Sequence, residues 1–236
     1  MARAARFRAS HLALSCGALS VLLTGCSGFG PTEKAERTYT VDGKVTALSA
    51  TTHGGNIEIV PIAGGGSVKV TEKYEYNDDN KPTPEHSLKD GRLTLTADDE
   101  CDGFGKQCSV AYKVLLPRDA SVDLHTSGGD ITVRGTSGTI AAETSGGDIT
   151  VKDSAARKAE VETSGGNVDV ALSRVPDEVS GNTSGGDVTI RLPKGTYAVD
   201  ASTSGGDRTV SVKTDKSSSH KVTAETSGGD VSVLNS

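Results

Sequence analysis

Short runs along most of the chain alternate apolar and polar residues with a period of two. Ile131-Thr132-Val133, Ile149-Thr150-Val151, Val168-Asp169-Val170 and Val188-Thr189-Ile190 each offer one face to a core and one to water, the pattern of a half-buried strand. Val122-Asp123-Leu124 and Val199-Asp200-Ala201 do the same just upstream of two such runs. Between the paired runs lies a recurrent motif, Thr-Ser-Gly-Gly-Asp/Asn, starting at Thr126, Thr144, Thr163, Thr183, Thr203 and Thr226 and spaced by 18, 19, 20, 20 and 23 residues. A diverged copy, Thr52-His53-Gly54-Gly55-Asn56-Ile57, stands upstream. The motif Thr is in phase with the inward residues, as in Leu124 then Thr126, so it is expected to point inward and stack on its equivalents. Ser-Gly-Gly is expected to form the corner, with glycine taking a positive φ. The Asp or Asn then hydrogen-bonds the turning backbone.

One corner per period near 20 residues, with almost no helix signal, predicts an all-β fold. The expected form is a β-solenoid or β-helix-like stack of short strands, each coil burying its face only against its neighbours. Residues 38–116 hold less regular strand candidates at 37–41, 45–50, 57–61, 68–76, 92–96 and 110–116, with a polar loop over 77–85. They read as opening coils with a longer excursion, ahead of the regular repeats of 117–236. Arg208 stands where other copies carry Ile or Val; a two-residue slip bringing Val210 and Val212 inward would accommodate it. The last strand, at 231–234, is followed by only two residues. That predicts a bare final coil with unpaired edges and end-to-end self-association through it.

The first residues change the picture of where this fold works. Arg3, Arg6 and Arg8 precede an uncharged apolar stretch from Leu12 to Leu23. A stretch of a dozen is too short for a permanent span, which needs about 20 residues; it reads as a removable export signal. Leu23-Thr24-Gly25-Cys26 resembles the lipobox of bacterial lipoproteins. The resemblance implies a signal peptide over 1–25, a diacylglycerol on the Cys26 thiol, and a tether over 26–37 leading to one domain over 38–236. Two acyl chains suffice for stable anchoring, so the expected location is the extracytoplasmic face of the cell membrane. Loss of three arginines with the signal takes the net charge from −6 to −9, which disfavours nucleic acid as a partner. In that oxidising compartment Cys101 and Cys108 are the remaining pair once Cys16 is removed and Cys26 lipidated, and a disulfide between them is expected. Aromatic content is 3% with no Trp, so the core must be built from Val, Ile, Leu, Ala and Thr.

The repeated Ser-Gly-Gly-Asp-Ile/Val motifs, with the lead-ins Leu116-Pro117-Arg118-Asp119 and Leu192-Pro193-Lys194-Gly195, resemble the bacterial putative adhesin family over roughly residues 40–236. The resemblance implies a β-strand-repeat fold and carries no catalytic residues. The chain has no Gly-x-Ser-x-Gly elbow, His-Glu-x-x-His, P-loop or dinucleotide fingerprint, and His53, His86, His125 and His220 are scattered singletons. The row Asp130, Asp148, Asp187, Asp207 and Asp230, joined by Asn56 and Asn167, has two readings: turn-capping groups, or a ladder of carboxylates relieved by Ca²⁺. No other cofactor is expected. The leading function is a membrane-anchored binding or structural module of the cell envelope whose polar faces meet glycan or protein. The alternatives are an accessory subunit of an envelope-stress or regulatory membrane system, and a polysaccharide-acting β-helix enzyme.

Overall fold

The computed structural model describes residues 32–63, 66–77, 81–97 and 107–236, and among them are twenty strands and no helix. The first seven are β1 (Thr32–Val41), β2 (Ala47–Thr52), β3 (Ile57–Pro61), β4 (Val68–Asn77), β5 (Glu85–Lys89), β6 (Arg92–Thr96) and β7 (Cys108–Leu116). The regular part holds β8 (Ser121–Thr126), β9 (Ile131–Arg134), β10 (Ile140–Thr144), β11 (Ile149–Ser154), β12 (Lys158–Thr163), β13 (Val168–Leu172), β14 (Glu178–Asn182) and β15 (Val188–Leu192). The last five are β16 (Thr196–Thr203), β17 (Arg208–Val210), β18 (Lys213–Thr214), β19 (Lys221–Thr226) and β20 (Val231–Asn235).

They form two ten-stranded sheets. Sheet A runs β1-β4-β7-β3-β9-β11-β13-β15-β20-β17, and sheet B runs β18-β16-β19-β14-β12-β10-β8-β2-β6-β5. Each repeat lays one strand in sheet B, turns at its motif, and lays the next in sheet A. Successive repeats therefore stack as parallel ladders in matching register: Ile140 faces Val122 and Ala159, and Ile149 faces Ile131 and Val168. The inward residues make one continuous core of Val, Ile, Leu and Ala, with Leu124, Ile131, Val133, Ile149, Val151 and Val161 fully buried. Small branched side chains suit this geometry because like sits above like at the strand spacing of about 4.8 Å. Each contributes about 1.5–3 kcal/mol when withdrawn from water.

The rungs do not follow chain order at either end. The rung β2/β3 sits between β8/β9 and β6/β7, and the final rung β19/β20 is inserted between β14/β15 and β16/β17. Val231 of β20 pairs with Val188 on one side and Arg208 on the other. The expectation of a bare C-terminal coil is thereby overturned: Val231–Asn235 is an interior strand, flanked by β15 and β17. The outermost full rung is β16/β17, with the two-residue β18 paired beyond β16 in sheet B. Arg208 explains the choice. Were β17 placed between β15 and β20, its guanidinium would lie in the core between two valines, and an unpaired buried charge costs several kcal/mol. At the edge Arg208 is exposed, and its Nε donates to the Ala201 carbonyl of the facing strand at 2.7 Å. Val212 is buried and Val210 packs on the core as expected, but without the two-residue slip: Arg208 and Val210 keep register with Val231 and Val233.

The other end is closed by antiparallel strands. β4 pairs with β7 and β1 with β4 in sheet A, while β5 folds back on β6 in sheet B. β1 begins at Thr32, so strand pairing takes in residues 32–37, which the sequence pattern assigned to the tether. β5 arises where the loop over 77–85 ends; Glu85-His86-Ser87-Leu88-Lys89 is an edge strand with no buried face.

Candidate binding face and its corner ladder

The corner is built from backbone contacts between rungs. In each copy the motif Thr is inward, with Thr144 and Thr163 only 3% and 2% exposed. Its hydroxyl donates to the carbonyl of the second motif glycine in the adjoining rung: Thr144 Oγ1 to Gly129 O at 3.0 Å, Thr163 Oγ1 to Gly147 O at 2.9 Å, Thr226 Oγ1 to Gly186 O at 2.8 Å. The same oxygen accepts the N–H of its own second glycine, as from Gly166 at 3.3 Å. The diverged copy joins this ladder, since Thr126 Oγ1 donates to Gly55 O at 3.0 Å. The motif glycines do not need positive φ; among the described residues the positive-φ glycines are Gly43, Gly91 and Gly135. What demands glycine is approach: a Cβ on Gly147 would lie 2.0 Å from the Gly129 oxygen.

Directly after the glycines runs the acidic row, which is a second hydrogen-bonded ladder. Each Asp or Asn side chain accepts the backbone N–H of its counterpart one rung on: Asn56 Oδ1 from Asp130 N at 2.9 Å, Asp130 Oδ1 from Asp148 N at 3.0 Å, Asp148 Oδ1 from Asn167 N at 2.7 Å. The row continues through Asn167 to Asp187 at 2.9 Å, Asp187 to Asp230 at 2.8 Å and Asp230 to Asp207 at 2.8 Å. Carboxylates one strand apart repel by about 1 kcal/mol in water, and these charge-assisted bonds offset that. Of the five aspartates named as Ca²⁺ candidates, Asp130, Asp148, Asp187 and Asp230 thus accept a backbone N–H of the adjoining rung, and Asp207 ends the row. Among the described residues no group of three or more His, Cys, Asp or Glu side chains could hold a metal ion.

The outer face of sheet A continues from this ladder. Two residues beyond the acidic row comes Thr132, in register with Thr150, Asp169, Thr189, Ser232 and Thr209 on successive strands. The hydroxyl row is broken at Glu58 and Lys113, which pair at 3.0 Å, and resumes as Thr71 and Thr38, 2.9 Å apart. A further two residues along stand Arg134, Lys152 and Arg191. The outer face of sheet B is more acidic, carrying Asp123, Glu143, Glu160, Glu162, Glu178 and Glu225 along its strands.

The structure places the other expected residues apart from this face. His53 is a corner residue whose carbonyl accepts the N–H groups of Ser127 and Gly128. His86 stacks on Tyr39 with ring centroids 4.5 Å apart, and His220 Nδ1 lies 2.7 Å from Pro176 O. Register brings His125 between two carboxylates, Asp123 at 2.9 Å and Glu143 at 3.3 Å; the strand pairing that makes this group was invisible to a motif search. Cys108 opens β7. The signal peptide, Cys26 and Cys101 lie outside the described residues.

One buried polar cluster escaped the sequence. Glu72, on the inward side of β4, is fully buried. It accepts the hydroxyl of Tyr39 at 2.8 Å and that of Tyr74, while the Arg37 guanidinium lies 5.0 Å from the Tyr39 ring centre. Burial, and then the hydrogen bond to Glu72, push the Tyr74 hydroxyl up to about 12 and raise Tyr39 well above its ordinary value. The signal was present: Val68, Val70, Glu72 and Tyr74 share one parity, so the carboxyl sits on the apolar side.

No curated protein matches the chain. Among solved structures it is similar to a putative cell adhesion protein from Clostridium sporogenes, at 15% identity and a TM-score of 0.46, covering 86% of this chain and 100% of that one. It is also similar to a putative adhesin from Bacteroides fragilis, at 16% identity and 0.45, covering 86% and 97%. A putative lipid binding protein from Parabacteroides distasonis matches at 12% and 0.34, covering 86% and 96%. The family model described as Toastrack DUF4097 matches residues 42–234, from the turn after β1 to the last strand, and the chain therefore belongs to the Toastrack DUF4097 family.

Proposed function

We propose that this chain is a lipid-anchored, extracytoplasmic envelope protein that binds a repetitive envelope polymer, glycan or protein, across the outer face of sheet A. The observation that carries this reading is the face itself: hydroxyl, carboxylate and cationic groups recur in straight rows at the strand repeat. A polymer with its own regular spacing meets such a face at many weak contacts, and linked contacts multiply affinity well beyond any single one.

Anchoring rests on the Leu23-Thr24-Gly25-Cys26 motif. With β1 starting at Thr32, only residues 27–31 separate the lipidated cysteine from the sheet, a reach of roughly 20 Å at full extension. The stack would lie against the membrane surface. The bonded state of the Cys108 sulfur supports the disulfide to Cys101, which would tie the long connection after β6 to the first residue of β7.

Two measurements test the reading. Mass spectrometry of membrane-extracted protein should find a diacylglycerol adduct that Cys26→Ala abolishes; unmodified, freely soluble wild type would refute the anchor. An array of envelope glycans and proteins should show retention without turnover. Breakdown of a retained glycan would instead make the chain an enzyme.

A further inference from the structure

The break in the hydroxyl row of sheet A coincides with a groove of about 290 Å³, close to the lower bound of small-molecule sites at about 300 Å³. Its walls come from β3, β4, β7 and β9, and its polar lining is Asn56, Glu58, Lys73, Lys113, Asp130 and Arg134. In a chain of net charge −6 this lining holds three cations against two carboxylates. The carboxylates are already engaged. Glu58 pairs with Lys113 at 3.0 Å, and Asp130 accepts the Asp148 N–H. Lys73 and Arg134 form no ion pair among the described residues.

The groove also marks the start of the acidic ladder. Ala111 occupies the place of a preceding Asp, since Tyr112 is in register with Ile57. Asn56 Oδ1 accepts the Asp130 N–H at 2.9 Å, and with Ala111 in that place no preceding ladder side chain meets its amide group. Elsewhere in the ladder that amide is used: Asn167 Nδ2 donates to Asp148 at 3.2 Å. The groove thus offers a guanidinium, an ammonium and a carboxamide donor around a shallow hollow with Thr132 at its rim. A guanidinium favours planar or tetrahedral oxyanions through paired N–H bonds, and the amide and hydroxyl suit sugar hydroxyls.

We propose that this groove is a subsite for an acidic glycan, its carboxylate or phosphate groups met by Arg134 at one end and Lys73 at the other and its hydroxyls by Asn56 and Thr132. The proposal rests on the reading of sheet A as a polymer-binding face and names the class of polymer. Because the cations are exposed, binding weakens as salt rises.

Calorimetric titration of the folded domain with polygalacturonate, poly(glycerol phosphate) and neutral dextran tests it. The double variant Lys73→Gln/Arg134→Gln should weaken binding of one or both acidic polymers at least tenfold. The charge-matched Arg92→Gln/Lys221→Gln, whose residues stand exposed on sheet B, should change it less than twofold. Which acidic polymer responds tells carboxylate from phosphate. Equal loss in both variants would reduce the effect to bulk charge and overturn the subsite. Dextran binding as tightly as the acidic polymers would overturn the subsite and leave the polymer-binding reading intact. Absence of binding to all three overturns the subsite, and the array measurement then decides the broader reading by itself.

Discussion

The middle of the stack and its β1–β5 end solve the same problem by opposite means. From β8 to β15 the rungs are held by the same few contacts: a Thr hydroxyl on a glycine carbonyl, an Asp or Asn side-chain oxygen on the next N–H, and branched aliphatic side chains one above another. Each strand has a copy of itself on either side, so edge groups are satisfied by repetition. At the end no next copy exists, and the chain changes vocabulary. Antiparallel strands replace parallel ones, tyrosines replace valines, and one buried carboxylate gathers two hydroxyls in a unique cluster. Repetition stabilises an interior cheaply in sequence terms, but only particular side chains can end it.

That contrast is broken most severely by Gly147→Ala. The added Cβ would meet the Gly129 carbonyl at 2.0 Å, a backbone collision that cannot be relieved by rotating a side chain. A loss of about 3 kcal/mol is expected, read as a lower urea midpoint. The rungs on both sides should lose amide protection together while the Tyr39–Glu72–Tyr74 end stays protected. Even loss of protection through the whole molecule would show that the two regions are one cooperative unit.

Alkali should act in the opposite place. A tyrosine whose folded value is raised contributes stability that is fully present below the unfolded value, near 10, and is lost as pH rises through the folded one. For Tyr74 that window closes at about 12. Raising the pH from 10 to 12 should therefore loosen the β1–β4–β5 end first, seen as late tyrosinate absorbance coinciding with exchange of β1 and β4 amides. Ordinary titration of Tyr39 and Tyr74 near pH 10 would contradict the buried cluster.

The smallest thermal effect, with the plainest change of state, is expected at the other end. Arg208 is exposed, and its replacement by Val should alter stability by less than about 0.5 kcal/mol. It should nevertheless leave an apolar rung whose sheet edge invites another copy. Light scattering should report wild-type monomer and concentration-dependent assembly of Arg208→Val; a variant that stays monomeric would show that Arg208 is not what closes the stack.

Much of the middle was legible because alternation and motif spacing constrain each other. Thr126, Thr144 and Thr163 share the parity of their buried neighbours, and their inward stacking follows from that alone. The role of the glycines was misread, since sequence cannot distinguish a need for positive φ from a need for close approach. The order of rungs was hidden for a deeper reason. Near-identical motifs make many stacking orders almost equal in hydrogen bonds, so only an exception such as Arg208 breaks the tie. β5 was missed because an edge strand with no buried face leaves no alternation to read. The groove at Asn56 was visible only as a pair of departures, Glu58 and Lys113, which become neighbours once β3 and β7 are paired.

The placing of β19/β20 inside the stack has a bearing on how the chain comes to be assembled and how it is damaged. β16/β17 is made before the rung that supports it, so during synthesis it has to wait, undocked, until β19/β20 has emerged and slotted beneath it. Clipping residues 221–236 would not shorten the stack by its last step. It would pull out a step from within, leaving β16, β17 and β18 without a foothold and giving proteases a second segment from a single cut.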